Sequence, residues 1–289
     1  MPDKLKNFLL IIGAMKAGTT FLYELLAQHP EIEPCLQKEP CFFADTNGHE
    51  SWQKGMDYYR SLWPEFNTEK HQYALEGSVN YTKIPELPNA AERISSVKSA
   101  SFSFIYVVRN PIERIRSHIQ FMEIYKRKQN LFKKGRKNEL KISRHALHVT
   151  EYYRQISEFY QRFPAETINI VFFEDLVSNP QKTVNVIFDF LKLPAIEVDL
   201  QKEKNASSDI SYQEWVFNLR QKLPMRWPLQ KKIPSWVKKK MIDRKISSIH
   251  LSDQQKEYIL NHLKPDLDRL KNNLGIDISR WNLSLGIDK

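Results

Sequence analysis

Residues 8–20 read FLLIIGAMKAGTT, an apolar run that ends in a glycine turn and leads into a helix-forming segment. The run predicts a buried strand, and the spacing of Phe21, Leu22, Leu25 and Leu26 predicts an amphipathic helix after it. Backbone N–H groups at the start of a helix have no intrahelical partner, and the helix dipole adds positive potential there. We therefore expect this strand, turn and helix to bind a phosphate-like anion.

The glycine spacing is that of a nucleotide P-loop, but the lysine is displaced. A Walker A loop reads GxxxxGK[ST]. Here the two glycines keep that spacing, Thr19 stands at the lysine position, and the lysine lies inside the turn as Lys16. A second apolar run, residues 102–108, is followed by Arg109 rather than by the acidic residue that helps to hold Mg²⁺ in an NTPase. This pattern favours transfer of a group with one negative charge, which a lysine and backbone donors can neutralise without a metal.

The order of predicted elements repeats strand, loop and helix, the pattern of a mainly parallel sheet covered by helices on both faces. We expect a single α/β, P-loop-containing domain across residues 1–289. The predicted strands lie at residues 8–12, near Ile32, and at residues 73–76, 102–108 and 168–173. Further helices are predicted after Asn179-Pro180 and from the capping box at Ser252 toward His262.

Composition places the chain among ordinary globular proteins. Its 289 residues are enough for a sizeable core, and hydrophobic residues make up 41%. No apolar run approaches the roughly 20 residues of a membrane span. A first strand that begins near Asn7 leaves no room for a signal peptide or an upstream anchor, so we expect a cytoplasmic protein. Two cysteines, Cys35 and Cys41, are too few for a disulfide framework or a zinc site, and we expect reduced packing thiols.

The net charge of +10 is concentrated in two segments. Residues 126–144 carry +8 and residues 220–245 carry +9, so the rest of the chain is net negative. This distribution favours local recognition over general nucleic-acid binding. The first segment could line a cleft for an anionic acceptor. The second interleaves Trp227 and Trp236 with its cations, which suits contact with an anionic membrane surface. Solvated helix faces and loops are the alternative for both segments.

Three separated blocks resemble motifs of the sulfotransferases that use 3′-phosphoadenosine 5′-phosphosulfate (PAPS). Residues 13–20, GAMKAGTT, resemble the family's 5′-phosphosulfate loop. Residues 107–117, VVRNPIERIRS, resemble its 3′-phosphate motif, and residues 38–43, KEPCFF, resemble the segment that carries the acceptor-side base in the carbohydrate and bacterial branches. Shorter blocks in the family's order extend the resemblance over most of the chain: GMDYYR, EGSVNY, FFEDL followed by NP, and LGIDISRW.

The resemblance implies a PAPS-dependent sulfotransferase that releases 3′-phosphoadenosine 5′-phosphate (PAP) and needs no metal. Lys16 would stabilise the charge that grows on the leaving phosphate, and Glu39 would take the acceptor's proton. Arg114 and Arg116 are expected to be structural or exposed. The implied donor-binding residues are Lys16, Ala17, Gly18, Thr19, Thr20, Arg109 and Ser117. The implied acceptor-binding residues are Lys38, Cys41, Phe42 and Asn80.

Several alternatives stay open. One of the two threonines after Gly18 could serve only as the helix cap, and His29 and His118 are rival bases that we expect to be structural. The expected acceptor is a hydroxyl, or less favourably an amine, of a glycan, a glycolipid or a small metabolite, and it could be anionic or lipid-linked. The other candidate functions are a P-loop small-molecule kinase, which the displaced lysine disfavours, and a non-catalytic protein that binds polyanions or membranes. Gly77 stands where several carbohydrate sulfotransferases carry a second lysine.

Overall fold

The computed structural model describes residues 5–46, 51–129, 142–200 and 249–283. Residues 1–198 and 250–289 group into one compact unit, and residues 199–249 group into a second, nearly all of which lies outside the described ranges. All the helices and strands of the described ranges belong to the first unit. The expectation of one domain over the whole chain stays a prediction.

A five-stranded parallel sheet forms the centre of the first unit. Its strands are β1 (Asn7–Gly13), β2 (Ile32–Pro34), β3 (Tyr73–Glu76), β4 (Ser101–Val108) and β5 (Ile168–Phe172). They lie in the order β2-β3-β1-β4-β5, and every neighbouring pair is parallel. The middle of β1 is wholly buried, as expected when helices cover both faces of a parallel sheet. The predicted strands and the predicted α/β class are therefore confirmed.

Nine helices accompany the sheet in the described ranges. They are α1 (Thr19–Leu26), α2 (Gly55–Arg60), α3 (Ala90–Ser96), α4 (Pro111–Gln129), α5 (Arg144–His148), α6 (Tyr152–Tyr160), α7 (Phe173–Ser178), α8 (Pro180–Phe190) and α9 (Asp253–Leu274). Short 3-10 turns lie at Ser51–Lys54, Val79–Thr82, Ala165–Thr167 and Ser279–Trp281. None of the described helices is both long enough and apolar enough to cross a membrane.

The predicted helix caps are present, but one predicted helix end is wrong. The Asn179 side chain accepts a hydrogen bond from Lys182 N at 3.2 Å, and Ser252 forms the predicted capping box. Helix α9 does not end near His262; it passes through Pro265 and ends at Leu274. An apolar stripe buried on this helix, spaced three to four residues apart, outweighs the helix-breaking effect of a single proline.

Both cationic segments lie largely outside the described residues. The structure does not describe residues 130–141 or residues 220–245. The predictions that these segments contact an acceptor or a membrane surface therefore stay predictions.

The end of β1 is crowded against the 3-10 turn Val79–Thr82. The Thr82 hydroxyl donates a hydrogen bond to Ile12 O at 2.6 Å. A Cβ atom on Gly13 would lie 2.1 Å from that same hydroxyl oxygen and 2.9 Å from the Tyr106 ring. Real Cβ atoms do not approach other atoms so closely, so only glycine allows the turn to sit on the end of the strand.

Replacing Gly13 should therefore destabilise the protein more than replacing an unhindered glycine. We expect Gly13→Ala to lower the free energy of unfolding by about 3 kcal/mol, through overpacking against Thr82. Gly275, which has a φ of 67° and no atom within 4 Å of an added Cβ, is the control. Gly275→Ala should cost about 1 kcal/mol, the strain of a left-handed backbone. Urea denaturation measures both, and equal losses would contradict the crowding argument.

Candidate functional site

The turn between β1 and α1 presents unpaired hydrogen-bond donors. Gly18, with a φ of 83°, is the N-cap of α1, and no side chain caps the helix. The suggestion that a threonine serves only as the cap is therefore wrong. In the described ranges, the amide N–H groups of Gly18, Thr19 and Thr20 and the two threonine hydroxyls have no hydrogen-bond partner. Donors grouped in this way at a helix N-terminus are available to an anion.

Lys16 lies inside this turn and is partly removed from water. Its backbone φ of 69° is left-handed, and its amine lies 4.7 Å from the centre of the Phe121 ring. Burial, followed by the charges of Arg109 and Arg114, lowers the pKa of Lys16, whereas the charge of Glu39 opposes that shift. Lys16 forms no ion pair with any described carboxylate. The turn therefore carries a desolvated cation without a close counterion.

Arg114 supports the turn from helix α4. It is wholly buried; its Nη1 donates to Met15 O at 3.0 Å and its Nη2 to Ala146 O at 2.6 Å. Burial lowers the pKa of Arg114 to about 10. The structural role expected for Arg114 is thus what the geometry shows. His118 and Phe121 follow Arg114 at i+4 and i+7, so the three side chains lie on one face of α4. This spacing is visible in the sequence and could have predicted which face of α4 packs against the turn that holds Lys16.

Arg109, at the end of β4, also contacts the turn. Its Nη1 donates to Lys16 O at 3.0 Å, and its guanidinium lies 4.2 Å from the centre of the Phe173 ring. The Tyr152 hydroxyl donates to Arg109 O at 2.7 Å and fixes the backbone there. Ser117 was predicted to bind the 3′-phosphate of the donor together with Arg109. It is part-exposed on α4, and its hydroxyl has no hydrogen-bond partner among the described side chains and backbone groups. The structure thus brings Lys16 and Arg109 together and leaves the Ser117 hydroxyl without a described partner on α4.

A group of hydrogen bonds holds the start of α4 in place. Glu174 accepts from Asn110 N at 2.8 Å and from Trp281 Nε1 at 3.2 Å, and Asn110 Nδ2 donates to Trp281 O at 3.1 Å. Arg280 also forms a two-pronged ion pair with Asp175. Glu174 and Asp175 belong to the FFEDL block and Arg280 and Trp281 to the LGIDISRW block, for which no role was predicted. In the structure these two blocks tie the end of the described chain to the segment that carries Arg109.

Glu39 forms an ion pair with the neighbouring Lys38. It is partly exposed, and its Oε1 lies 2.8 Å from Lys38 Nζ. The charge of Glu39 also acts to raise the pKa of both Lys16 and Lys83. The Lys38 side chain runs over Gly77, with its Cε 3.4 Å from where a Cβ would be. Lys38 therefore pairs with the predicted base and uses space that a larger residue at position 77 would fill.

Two of the predicted acceptor-binding residues contact each other. Asn80 Nδ2 donates to Cys41 Sγ at 3.3 Å, and Asn80 Oδ1 accepts from Lys83 Nζ. Burial raises the pKa of the Cys41 thiol to about 12, so the thiol stays protonated at neutral pH. Both cysteines are free, as expected. The amide of Asn80 thus links the Glu39 loop to Lys83, which sequence analysis missed because no motif marks it.

Phe42 requires a correction. Its side chain has no exposed surface, and its ring packs against those of Tyr59, Phe43 and Trp52 at centroid distances of 4.5, 4.9 and 5.5 Å. An aromatic ring enclosed in this way contributes to the core and cannot touch an acceptor from solvent. We therefore remove Phe42 from the acceptor-binding set.

The two histidines differ in their surroundings. Glu31 N donates to Nδ1 of His29 at 3.1 Å, and Nε2 of His29 lies 3.0 Å from Pro194 O, so both ring nitrogens are used structurally. His118 is 2% exposed, and its Nδ1 has no partner among the described atoms. Burial and the nearby cations lower the pKa of His118 to about 3, so its ring is neutral at physiological pH.

Glu76, at the end of β3, is the most buried carboxylate near the site. It has no exposed surface and accepts hydrogen bonds from Tyr59 OH at 2.5 Å, Ser78 Oγ at 2.5 Å and Tyr81 OH at 2.8 Å. Burial raises the pKa of Glu76 to about 7, although the three hydroxyls favour the ionised form.

The described residues contain no group of three or more His, Cys, Asp or Glu side chains arranged to hold a metal, and metal independence stays a prediction.

The same hydroxyls position the loop that follows Glu39. Ser78 Oγ accepts from Cys41 N at 3.0 Å, and Tyr81 OH accepts from Phe43 N at 3.4 Å. Because each hydroxyl gives its proton to Glu76, its oxygen lone pairs are free to accept these backbone N–H groups. The buried carboxylate therefore fixes the direction of these two hydrogen bonds to the loop.

Comparisons with known proteins agree on one family. The sulfotransferase domain family matches residues 6–268. Similar curated proteins include mouse heparan sulfate glucosamine 3-O-sulfotransferase 5, 29% identical over 193 residues that make up 64% of this chain and 53% of that protein. Mouse heparan sulfate glucosamine 3-O-sulfotransferase 3B1 is 31% identical over 195 residues, 66% of this chain and 47% of that protein. The chain spans about half the length of these relatives.

A solved structure supports the fold. The crystal structure of a sulfotransferase from Alicyclobacillus acidocaldarius matches with a TM-score of 0.64, over 96% of this chain and 99% of that chain. The two sequences are 19% identical, so this likeness concerns the fold alone.

The buried carboxyl of Glu76 should make stability depend on pH. Because the folded state raises its pKa from 4.5 to about 7, folding is favoured by the proton below pH 4.5, and this contribution is lost as the pH rises to 7. Relative to Glu76→Gln, which cannot titrate, the wild type should lose about 3 kcal/mol of unfolding free energy over that range. Urea denaturation at several pH values measures the difference.

Tyr59→Phe is the matched control, because it removes one donor but keeps the carboxyl. This variant should lose at least as much stability with rising pH as the wild type, because the missing hydroxyl favoured the ionised carboxylate. A difference between wild type and Glu76→Gln that stays constant from pH 4.5 to 7 would show that Glu76 does not bind its proton more tightly in the folded state.

Proposed function

Because the chain belongs to the sulfotransferase family, we propose that it transfers a sulfuryl group from PAPS to an acceptor hydroxyl. The observation that carries this proposal is the contact between the two predicted donor-binding cations. Lys16 lies in the turn after β1, and Arg109, at the end of β4, donates to Lys16 O. Both lie at the carboxyl ends of adjacent strands, at the point where the strand order reverses, which is where ligands bind in open α/β sheets.

The donor would bind mainly to groups at the start of α1 and to Arg109. The amides and hydroxyls from Gly18 to Thr20, which have no partner within the described protein, suit the 5′-phosphate. The amide of Ala17, which donates to Ala14 O at 3.1 Å, would have to share its hydrogen with that phosphate. Arg109 and Ser117 suit the 3′-phosphate, with a charge-assisted hydrogen bond from the arginine. When bound, PAPS supplies the sulfuryl group that is transferred.

In the proposed reaction, the acceptor oxygen forms a bond to sulfur while the bond from sulfur to the bridging phosphate oxygen breaks. The electron pair of the broken bond stays on the 5′-phosphate of PAP, where Lys16 stabilises the growing charge. The proton of the acceptor hydroxyl passes to Glu39. Burial keeps Lys16 poorly hydrated, which strengthens its effect on charge that develops beside it.

A glycan is the acceptor class that the relatives favour. Both curated relatives are named for transfer to a glucosamine hydroxyl of heparan sulfate. We propose a sugar hydroxyl as the acceptor, without carrying over heparan sulfate itself, because Gly77 stands where several carbohydrate sulfotransferases carry a second lysine. Incubation with labelled PAPS and a panel of oligosaccharides, glycolipids and small alcohols tests the proposal. Label transferred to none of them would contradict it.

The two cations should fail in different ways when they are removed. Lys16→Ala should lower turnover at saturating PAPS by about 10²-fold or more while PAP affinity falls only modestly, because its main effect is on transition-state charge. Arg109→Ala should mainly weaken donor binding. Calorimetry with PAP and steady-state kinetics separate these effects. Equal losses of PAP affinity with normal saturated turnover would show that this division of roles is wrong.

Removing the proposed base should affect turnover alone. Glu39→Gln keeps the size of the side chain but cannot take a proton, so turnover should fall by about 10²-fold with PAP affinity nearly unchanged. His118→Asn is the comparison variant, because its neutral ring is the rival base. Full activity in Glu39→Gln together with loss in His118→Asn would transfer the role to His118.

A further inference from the structure

Lys83 directly follows the 3-10 turn Val79–Thr82, and its backbone is fixed on both sides. Thr82, just before it, is hydrogen bonded to the end of β1. Ile84, just after it, donates through its N–H to Gln155 Oε1 at 2.8 Å and accepts at its carbonyl from Gln155 Nε2 at 2.8 Å. The position of Lys83 is therefore set by both β1 and α6, and does not depend on a free loop.

The side chain of Lys83 is a desolvated cation without a close counterion. Its Nζ donates to Asn80 Oδ1, and it forms no ion pair with any carboxylate among the described residues. Burial is the main cause that lowers the pKa of Lys83, and the charge of Glu39 opposes it. A desolvated ammonium group is costly to the folded state unless an anion neutralises it, so an unpaired lysine of this kind suits an anionic ligand.

Hydrogen bonds place Lys83 between the Glu39 loop and the end of β1. Asn80, which accepts from Lys83 Nζ, donates to the sulfur of Cys41, two residues beyond Glu39. Thr82, just before Lys83, donates to Ile12 O at the end of the strand that leads into the Lys16 turn. In keeping with this placement, the charge of Glu39 acts to raise the pKa of both lysines, and both lysines lower the pKa of His118. Because Glu39 also pairs with Lys38, the space between these groups has a net positive charge. His118, nearly wholly buried with an unpartnered Nδ1 in the described structure, adds a polar group without a protein acceptor or donor.

We propose that Lys83 is a further catalytic residue, which contacts the non-bridging oxygens of the sulfuryl group during transfer. This inference rests on the proposed function. Lys16 acts on the leaving phosphate oxygen, and Lys83 acts on the group that moves. By neutralising the sulfuryl oxygens, Lys83 reduces their repulsion of the incoming acceptor oxygen, which becomes electron-rich as Glu39 takes its proton.

Chemical labelling of amines in the wild-type protein tests the contact directly. The protein is treated with an amine-acylating reagent near pH 8, alone, with PAP and with PAPS, and labelled lysines are identified by mass spectrometry. Lys83 should be labelled in the free and PAP-bound protein and protected by PAPS, because only PAPS carries the sulfuryl group. Lys98, an exposed lysine outside the site, should be labelled equally in all three.

Variants test the consequence for catalysis. Lys83→Met removes the charge but keeps the length, so turnover at saturating PAPS should fall by about 10²-fold while PAP affinity changes less than about twofold. Lys83→Arg should restore part of the activity, and Lys98→Met should behave as the wild type. Urea denaturation checks that each variant is folded.

Several outcomes would overturn the inference while leaving the proposed function intact. In a wild-type protein that binds PAP and transfers sulfuryl groups, these are equal labelling of Lys83 with PAP and PAPS, no labelling of Lys83 in the free protein, or full turnover in Lys83→Met. A wild-type protein that neither binds PAP nor transfers label would instead overturn the proposed function itself.

Discussion

The crowding at Gly13 is the constraint on which the site depends. Because Gly13 has no side chain, Thr82 can hydrogen bond to Ile12 O and hold the Val79–Thr82 turn on the end of β1. That one contact brings the connection after β3 next to the turn that begins α1. Tyr81 and Lys83 lie on either side of Thr82, so the same contact positions a donor to Glu76 and the lysine that donates to Asn80. A side chain at position 13 would move all of these groups together.

The site holds more positive than negative charge in poorly hydrated surroundings. Lys16, Lys83, Arg109 and Arg114 all have a pKa lowered first by burial, and the charge of Glu39 opposes that shift at the two lysines. Desolvating each cation costs several kcal/mol, and hydrogen bonds to carbonyls return only part of that. Arg114 donates hydrogen bonds to Met15 O and Ala146 O, and it thereby supports the turn. Lys83 donates to Asn80 Oδ1, and neither Lys16 nor Lys83 forms an ion pair with a carboxylate of the described residues.

The acceptor side depends on a different arrangement, built around one buried carboxylate. Glu76 receives three hydroxyl protons, and two of those hydroxyls then accept the backbone N–H groups of Cys41 and Phe43. Phe42 fills the aromatic core between those two anchors. Glu39 thus stands at the start of a segment that is held by directed hydrogen bonds and by packing, although Glu39 itself is part-exposed. A base that must meet a mobile acceptor gains from such a rigid support with an open tip.

The amino-acid sequence by itself determined the local features, which are the strands, the turns and the helix starts that depend on a few adjacent residues. The apolar run before Gly13 fixed β1, the glycine spacing fixed the turn and the start of α1, and the position of Arg109 after β4 followed from the next apolar run. Strand periodicity, glycine turns and helix caps act over a few residues, so their signals survive in a linear pattern. Helix α9 runs further than predicted, because its buried apolar stripe continues the helix past Pro265 to Leu274. Only the tertiary structure decided that Lys83 contacts Asn80, that Glu76 anchors the loop after Glu39, that Phe42 is core, and that Arg114 holds Met15. These contacts join residues from separate strands and helices. Whether these distant residues meet depends on the order of the strands and on close packing at Gly13. Neither of these produces a periodic pattern of residues in the sequence.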